Sequence, residues 1–522
     1  MYFWYNYIIK TKSPMKQTFT LTLLLCICLS LTAQNVLFRD NHITSVYIQM
    51  PADSLTKMID EKIQNRYLRA KFICTGDTIN DTIATVGIRL SGNTSINAFK
   101  KTFKISFNEF TQGGRYRGLR KLILRGQAVD PTMIREALYY TVWNKFKLPK
   151  RRVGFAKLYI NGEYRGLYTN IEDMDKEWIQ QNYAADSGNL YKCTWPADLA
   201  YIGPDQQQYK DIFHDSETRA YELTTNETAD NYSDLVRLVT KLNLPNNANF
   251  ESEIRSILNV NDVLKAFAMD VCFGNWDDYF YLKNNYFLYF NPATQKFDFI
   301  VYDTDNSAGI NWITGEDWGN RNALTWYNTA EARPLATKLL AVPKFRRLFV
   351  DYLDTINKKY TNPDSINKLI DKYKTLISPA VFIDTYKQLD WGYTNQSFIS
   401  SFDQPLDSHT PYGLKPFFAT RKTTLYSQIG QILSTPAYST LPFETILFPN
   451  PSSHEIHLNT STTLTKNLIY RIYDTQGRLV DHGVFTAPNY DFKIHTYQFS
   501  KGHYFLQLIY DQGIGLLPFQ KL

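Results

Sequence analysis

The sequence predicts an α+β fold with two lobes, followed by a small all-β sandwich. Alternation of apolar and polar residues prevails between about residues 34 and 182 and indicates strands. Helical spacing prevails between about residues 183 and 433, and short strands separated by glycine turns recur in residues 446–522. Acidic residues concentrate where the strand-rich and helix-rich lobes meet. This arrangement is typical of an enzyme with a cleft between its lobes.

The composition fits a folded, exported protein and argues against binding of nucleic acid. The chain has 522 residues, of which 44% are hydrophobic, and its 37 Tyr and 33 Phe can support a sizeable core. The formal net charge of +7 includes three lysines of a leader without acids, so the remainder carries 7 − 3 = +4. So small a charge does not supply the attraction that nucleic-acid binding requires.

The first 33 residues have the features of a secretory signal peptide. Met15 is the expected start, residues 19–31 form a short apolar run, and Thr32-Ala33 supplies the small residues typical of a cleavage site. We expect cleavage after Ala33 and no integral membrane segment in the mature chain, because no later stretch is long and apolar enough. The three remaining cysteines are far apart and lack CxxC spacing, which argues against a disulfide framework and a zinc site.

Charged residues interrupt the apolar patterns of the strand-rich lobe. Residues 85–90 and 100–107 predict strands, and Lys104 lies on the polar face of the second. A helix with Pro131 at its first position carries Glu136.

The clearest hairpin of this lobe comprises residues 155–160 and 164–170. Its two strands are joined at Asn161-Gly162, a pair that favours a type I′ turn, and Glu172 ends the second strand.

A second predicted hairpin, residues 286–290 and 297–302, brings acids and amides to its open end. The loop between its strands is residues 291–295, so the residues that open the first strand and close the second lie together. The side chains expected at or near this end are Asp277, Asp278, Asn284, Asn285, Asp303 and Asp305.

Two interpretations of these acids and amides are open. Asp and Asn are common at strand ends as turn formers, which requires no ligand. Carboxylates that converge on one volume also repel each other unless they share a proton or a hard divalent cation, and Mg²⁺ bound with substrate phosphates suits such oxygen ligands.

Several motifs in order resemble the CotH (spore coat protein H) kinase-like family over about residues 36–433. The resemblance implies an atypical protein-kinase-like, two-lobed fold in a secreted protein that transfers phosphate from ATP to protein hydroxyl groups. The motifs are IRLSGNTS with KKTFKISF, DPTMIREAL, YINGEYRGLYTNIEDMD, GNWDDYFYLKNNYFLYF and VYDTDNSAG.

The same resemblance implies roles for individual residues. Phosphoryl transfer needs positioning and charge neutralisation more than covalent chemistry, and the residue types fit that demand. Three choices stay open. The lysine that faces the phosphates could be Lys100, Lys101 or Lys104, and the aspartate that holds the metal could be Asp303 or Asp305. At Asp277-Asp278 and at Asn284-Asn285, either of the two adjacent residues could be the functional one. The implied roles are as follows: Arg89, Lys101 and Lys104 face the ATP phosphates, Glu136 pairs with such a lysine, Glu172 lies under the adenine, Asp277 orients or deprotonates the acceptor, and Asn285, Asp303 and Asp305 hold Mg²⁺ or Mn²⁺.

The sequence lacks the signatures of ordinary kinases and NTPases. It has no GxxxxGK[ST], HRD or DFG motif, as the atypical family leads one to expect, and neither HExxH nor GxSxG. An ATP-dependent protein kinase is therefore one hypothesis. The alternative is a catalytically inactive surface binding or scaffold protein on the same fold, in which the acids hold a structural cation such as Ca²⁺.

The C-terminal region after a linker at residues 434–445 resembles the type A sorting domain of the type IX secretion system. Its motifs are FPNP at 448–451, the Tyr473-Asp474 and Gly477-Arg478 pairs, and KGHY at 501–504. The resemblance implies an immunoglobulin-like sandwich, contact with the type IX secretion machinery, and a secreted or outer-membrane surface location. The alternative is an ordinary carbohydrate-binding or immunoglobulin-like module.

Overall fold

The computed structural model describes residues 36–247, 249–434, 441, 443–511 and 513–522. The expected signal peptide lies outside the described residues, as does most of the expected linker. The chain divides into two compact units, Met1–Gly430 and Gln431–Leu522, and each is described by itself.

The first part of unit one is a closed barrel with the strand order β1-β2-β3-β4-β5-β7-β6. Neighbouring strands are antiparallel except β1 and β6, whose parallel pairing, with Ile43 opposite Phe155, closes the barrel. Burial alternates along β1, so that one set of side chains fills an apolar core. The strands are β1 Ile43–Gln49, β2 Leu68–Gly76, β3 Ile79–Leu90, β4 Phe103–Ser106, β5 Lys121–Arg125, β6 Val153–Ile160 and β7 Glu163–Glu172.

The turn between β6 and β7 confirms the predicted hairpin. Asn161 and Gly162 have φ of 50° and 86°, and positive φ at both central residues is what a type I′ turn requires.

Helices dominate the rest of unit one, and proline and glycine set several of their ends. A break was expected at Pro343, and one helix ends at Ala341 while the next begins at Pro343. The helix that carries Glu136 begins at Arg135 and not at Pro131. The helices are α1 Ala52–Asp60, α2 Arg135–Trp143, α3 Lys176–Asn182, α4 Gln206–Lys210, α5 Ser233–Leu242, α6 Phe250–Ile257, α7 Val260–Phe273, α8 Tyr279–Leu282, α9 Pro334–Ala341, α10 Pro343–Ile356, α11 Pro363–Phe382, α12 Gln388–Trp391, α13 Asn395–Ser400 and α14 Leu414–Ser434.

The later start of α2 has a local cause. The Asp130 carboxylate accepts hydrogen bonds from the backbone N–H groups of Thr132 at 2.8 Å and Arg135 at 3.0 Å, and it pairs with the Arg135 guanidinium. These bonds hold residues 130–134 in a turn before the helix, where Met133 has a φ of 57°.

The helix-rich part also contains a sheet that the sequence pattern did not fully predict. The expected hairpin is present, with Tyr286 opposite Val301, but two further strands extend it in the order β11-β10-β8-β9. The two added strands have four and three residues, too short for an alternation to be visible. The four strands are β8 Leu190–Cys193, β9 Tyr221–Leu223, β10 Tyr286–Asn291 and β11 Lys296–Val301.

Unit two consists of two antiparallel sheets that share one apolar core. One sheet has the order β12-β13-β16 and the other β15-β14-β17-β18. Ile456 and Phe492 from the first sheet pack in the same cluster as Ile472 and Leu506 from the second, as the expected all-β sandwich requires. The strands are β12 Thr445–Phe448, β13 Glu455–Leu464, β14 Leu468–Asp474, β15 Leu479–Phe485, β16 Asn489–His495, β17 Gly502–Tyr510 and β18 Gly513–Lys521.

Among the described residues, none of the helices combines the length and the apolar character that crossing a bilayer demands.

The end of α7 gives a first testable prediction. Gly274 has a φ of 62°, and a Cβ added there would lie 2.5 Å from Cζ of Phe417. Gly274→Ala should lower the free energy of unfolding by about 2–5 kcal/mol, because left-handed strain adds to overpacking. Every tryptophan lies before residue 431, so urea unfolding followed by tryptophan fluorescence reports on unit one alone.

Gly162→Ala is the matched control for this prediction. Gly162 has a φ of 86°, but no atom of the described residues lies within 4 Å of an added Cβ. Its loss should be only the strain, about 1–2 kcal/mol. Equal losses in the two variants would contradict the predicted clash with Phe417.

Candidate functional site

Asn285 and Asp303 lie at the open end of the β10–β11 hairpin, where the sequence predicted them, and Asn285 is opposite Tyr302, the residue before Asp303. The Tyr302 N–H donates to the Asn285 carbonyl at 3.0 Å, which extends the strand pairing by one step beyond Tyr286 and Val301. Asn285 and Asp303 have φ of 51° and 58°. Positive φ at two non-glycine residues in one small site is uncommon, and such strain clusters at ligand-binding positions.

Amide groups hold the carbonyl and carboxylate of Asp277. Its Oδ1 accepts from Asn284 Nδ2 at 2.8 Å and its Oδ2 from Asn306 Nδ2 at 3.0 Å. Asn285 Nδ2 donates to the Asp277 carbonyl at 3.0 Å, which leaves the Asn285 Oδ1 as the atom able to bind a cation. Burial, with the nearby Asp303 charge, raises the pKa of Asp277 to about 6. A carboxylate with that pKa can accept a proton near neutral pH.

Arg125, which the sequence reading missed, joins the barrel to this hairpin. It ends β5, and its Nη1 lies 3.0 Å from Asp303 Oδ2 while its Nε lies 3.5 Å from Glu136 Oε1 on α2. Glu136 is fully buried and also accepts from Gln127 Nε2 at 2.8 Å. Burial raises the pKa of Glu136, and Arg125 opposes that rise. An arginine at the end of an otherwise apolar strand was the available signal.

The structure corrects the expected partner of Glu136. Arg125 stands beside it, and the three candidate lysines bind elsewhere. Lys104 lies opposite Ile123 in the β4–β5 register, and the alternation of side chains puts Arg125 on the same face nearer to Glu136. The lysine contacts are Lys100 Nζ to Asp384 Oδ2 at 2.5 Å, Lys101 Nζ to the Ile96 carbonyl at 2.8 Å, and Lys104 Nζ to Asp173 Oδ2 at 2.7 Å.

Arg89 and Lys104 lie beside the stretch that contains Glu172. Arg89 is the strand neighbour of Lys104, and its guanidinium packs over the Tyr67 ring at 5.1 Å. Burial alone would raise the pKa of Asp173, but Lys104 lowers it below its ordinary value. Glu172 pairs with Arg152 at 2.5 Å.

Arg151, also missed from the sequence, links that stretch to the hairpin. Its Nε donates to the Glu172 carbonyl at 3.1 Å, and its guanidinium lies over the Tyr302 ring at 5.3 Å. Tyr302 immediately precedes Asp303, and the guanidinium of Arg125 lies over the same ring at 5.7 Å. The Glu172 stretch and the acid and amide cluster therefore belong to one region.

Unpartnered polar atoms show what this region can bind. Within the described residues, Asp303 Oδ1, Arg125 Nη2 and Arg151 Nη2 are buried and have no hydrogen-bond partner. Buried charged groups without partners are costly, so these three atoms are open to a ligand or to water. The carboxylate oxygen suits a divalent cation, and the guanidinium nitrogens suit phosphate oxygens.

The protein supplies only part of a metal coordination shell here. No group of three or more His, Cys, Asp or Glu side chains arranged to hold a metal occurs in the part of the chain that the structure describes. Asn285 and Asp303 would therefore need oxygen ligands from phosphate and water, which is how Mg²⁺ is usually bound. Burial and the neighbouring Asp303 raise the pKa of Asp305 well above its usual range. A bound cation would relieve that repulsion.

A second pair of acids supports the loop that carries Asp277. Asp270 Oδ1 accepts from Tyr139 Oη at 2.7 Å and from Asn275 Nδ2 at 2.8 Å, and the neighbouring Asp278 carboxyl group has a buried Oδ2 without a hydrogen-bond partner among the described residues. Burial raises the pKa of Asp270 to about 7, and burial together with Asp270 raises that of Asp278 well above its usual range. The two carboxyl groups thus share a proton at neutral pH.

The Arg125 ion pairs predict a large effect on stability. Arg125→Met would leave the carboxylates of Glu136 and Asp303 without their cation, which should lower the free energy of unfolding by about 3–5 kcal/mol. Urea unfolding followed by tryptophan fluorescence measures the loss. The control is Lys344→Met, which removes an exposed pair with Glu251 and should cost less than about 1 kcal/mol. Equal losses would contradict a central role for Arg125.

The shared proton predicts a pH dependence of stability. Unfolded carboxyl groups release their protons near pH 4, whereas burial in the folded protein raises the pKa of Asp270 to about 7 and, together with the Asp270 charge, raises that of Asp278 well above its usual range. Stability is therefore highest below about pH 4 and falls as the pH rises toward 7, because the unfolded chain gives up these protons at lower pH than the folded one.

Asp278→Asn tests this pH dependence. The amide can still accept from the Tyr281 N–H, which lies 2.8 Å from Oδ1, and, like the protonated acid, it carries no charge beside Asp270. The variant should lose less stability than the parent between pH 5 and pH 8 in urea titrations. A pH dependence as steep as that of the parent would refute the shared proton.

Comparison with known proteins was made on the sequence. The family described as "CotH kinase protein" matches residues 88–405, and the "Secretion system C-terminal sorting domain" matches residues 446–514. Both matches confirm the resemblances seen in the motifs. The second covers most of unit two.

Relatives were found in bacteria and fungi. The inner spore coat protein H of Bacillus subtilis (strain 168) is 26% identical over 292 residues, which cover 56% of this chain and 76% of that protein. Invasin CotH7 of Rhizopus delemar is 21% identical over 361 residues, covering 66% of this chain and 56% of the invasin. Invasin CotH3 of the same fungus is 22% identical, covering 65% and 57%. The chain thus spans little more than half the length of the invasins. Because the first family match extends over more than half of its 522 residues, the chain belongs to the CotH kinase protein family.

Proposed function

We propose that this protein is a secreted or surface-exposed atypical protein kinase, which transfers the γ-phosphate of ATP to protein hydroxyl groups with Mg²⁺ or Mn²⁺. The observation that carries the proposal is the convergence of an amide-held carboxylate, Asp277, with Asn285 and Asp303 at one hairpin end. The barrel and the helix-rich part are the two lobes of a kinase-like fold in this proposal.

Asp277 acts as the proton acceptor in the proposed reaction. The acceptor hydroxyl oxygen forms a bond to the γ-phosphorus while the bond from that phosphorus to the bridging oxygen of ADP breaks, and the hydroxyl proton passes to Asp277. A pKa of about 6 leaves the carboxylate ionised at neutral pH. Asn284 and Asn306, bound to its two oxygens, fix its orientation.

Charged side chains around the hairpin neutralise the phosphates. Asn285 and Asp303 would hold the metal ion, which when bound supplies positive charge beside the phosphate oxygens. Arg125 and Arg151 each have a buried nitrogen without a partner for a phosphate oxygen. Additional candidates for contact with the phosphates are Arg89, Lys101 and Lys104 in the barrel part. The stretch around Glu172 would lie under the adenine.

The C-terminal unit directs the protein out of the cell in this proposal. A secretion-system sorting domain at residues 446–514 supports export by the type IX machinery, with release or attachment at the surface. An immunoglobulin-like sandwich suits that role.

A catalytically inactive surface binding protein is the second candidate. It is favoured by the ion pair in which Arg125 Nη1 lies 3.0 Å from Asp303 Oδ2, because the arginine already neutralises the carboxylate without a metal ion. The acids would then hold at most a structural cation.

Phosphate transfer from γ-labelled ATP by the purified mature protein separates the two candidates. Acidic and basic proteins serve as acceptors, with Mg²⁺, Mn²⁺ or EDTA. Asp277→Asn should lower transfer by about 10²–10⁴-fold while calorimetry still detects ATP binding. Asp303→Asn should abolish metal-dependent ATP binding, and transfer by the parent should decline in acid as Asp277 takes up a proton.

Asp60→Asn is the matched control for this experiment, since Asp60 is exposed on α1. It should leave transfer unchanged. A parent protein that neither transfers phosphate nor binds ATP with metal would overturn the kinase proposal and leave the binding protein.

A further inference from the structure

Three exposed aromatic side chains and one buried histidine lie in a region that the proposed chemistry does not use. We call Phe99, Trp312, Trp391 and His409 the aromatic platform. Phe99, Trp312 and Trp391 are 67%, 50% and 40% exposed, whereas His409 is buried beneath them. The Trp391 and His409 rings are stacked at 4.3 Å, and Trp312 meets both edge-on at 5.2 and 4.5 Å. Rigid exposed aromatics of this kind are typical of binding surfaces.

The platform is joined to Asp277 by two hydrogen bonds. Trp312 Nε1 donates to Asn306 Oδ1 at 2.8 Å, and Asn306 Nδ2 donates to Asp277 Oδ2 at 3.0 Å. Asp390, beside Trp391, accepts from the Phe99 N–H at 2.6 Å, which fixes the barrel loop next to the platform. A polypeptide that presents a hydroxyl to Asp277 can therefore place a nearby residue on these rings, because consecutive Cα atoms are only about 3.8 Å apart.

A cavity of about 280 Å³ adjoins the platform and carries negative charge. Its lining includes Asn311, Asp317, Trp318 and Tyr412. Asn311 precedes Trp312, and its carbonyl lies 3.2 Å from His409 Nδ1. The exposed Asp317 carboxylate is held by Tyr412 Oη at 2.7 Å. Among the described residues, no cation forms an ion pair with it, whereas the other acid of the cavity, Glu316, is paired with Arg321.

We propose that the platform and this cavity bind the protein substrate beside its acceptor hydroxyl group. A bulky apolar side chain of the substrate packs on Trp312 and Trp391, and a lysine or arginine side chain enters the cavity and pairs with Asp317. Aromatic surface suits the first contact. The second suits the Asp317 carboxylate, which Gly319, Asn320 and Tyr412 hold in place by hydrogen bonds and which has no ion pair among the described residues. This inference rests on the proposed function, since it takes Asp277 as the base.

A peptide library tests the inference on the mature protein. Peptides with one Ser, Thr or Tyr vary the placement of a bulky apolar residue and of Lys or Arg, and kcat and KM are measured for peptide and for ATP. Peptides with both features should have at least tenfold higher kcat/KM than peptides with neither. Trp391→Ala should raise the KM for apolar peptides about tenfold, the effect of losing about 1.4 kcal/mol of binding.

Two further variants test the charged contact and the hydrogen bond to Asn306 separately. Asp317→Asn should remove the preference for Lys or Arg and keep the apolar preference. Trp312→Phe keeps a ring but loses the donor to Asn306, so it should lower kcat more than it raises the peptide KM. In Trp391→Ala, Asp317→Asn and Trp312→Phe, the KM for ATP should stay within twofold of the parent's value. Tyr201→Ala removes an aromatic side chain that is 46% exposed elsewhere and should leave every constant unchanged.

The outcomes distinguish failure of the substrate-binding surface from failure of the proposed kinase activity. Unchanged peptide preferences in Trp391→Ala and Asp317→Asn would overturn the inference while the kinase stands. If the parent transfers no phosphate, the same peptides carrying a fluorophore are titrated by anisotropy without ATP. Selective binding that Trp391→Ala removes would then support the surface without the kinase. Absent binding, or a self-association that Trp391→Ala abolishes, would reject it.

Discussion

The pairing of Arg125 with Glu136 and Asp303 is the interaction on which the rest of the site depends. The arginine ends a barrel strand, the glutamate lies on α2, and the aspartate follows β11, so one guanidinium connects three elements that are distant in the sequence. Buried carboxylates repel each other and cannot stay ionised together without a cation. The arginine thus permits acids to accumulate where the proposed phosphate transfer would need them, while its second terminal nitrogen has no hydrogen-bond partner among the described residues.

Local patterns in the sequence predicted the elements whose geometry is set by nearby residues. Asn161-Gly162, Pro343 and Gly274 each impose a turn, a break or a helix end through their own backbone preferences. The hairpin at Asn285 and Asp303 followed from two apolar runs and a turn, so their juxtaposition could be predicted without a structure.

Residues that act through long-range contacts could not be predicted in this way. Arg125 meets Asp303 across 178 positions of the chain, and Asn306 reaches Asp277 only because the loop after β11 folds back. The choice among Lys100, Lys101 and Lys104 depended on strand register and on partners such as Asp384, which no periodicity indicates. Strands β8 and β9 were missed for the same reason. They are short, and it is pairing with β10 and with each other that makes them strands.

The buried pair of Lys100 and Asp384 has a consequence for movement. Lys100 precedes β4 of the barrel and Asp384 follows α11, and both side chains are completely shielded from water. Asp390 adds two hydrogen bonds to the same barrel loop, at 2.6 Å and 3.0 Å. The segment that follows α11 is therefore held against the barrel loop before β4 by one buried ion pair and two hydrogen bonds. A wide hinge opening between this segment and the barrel would have to break all three of these contacts.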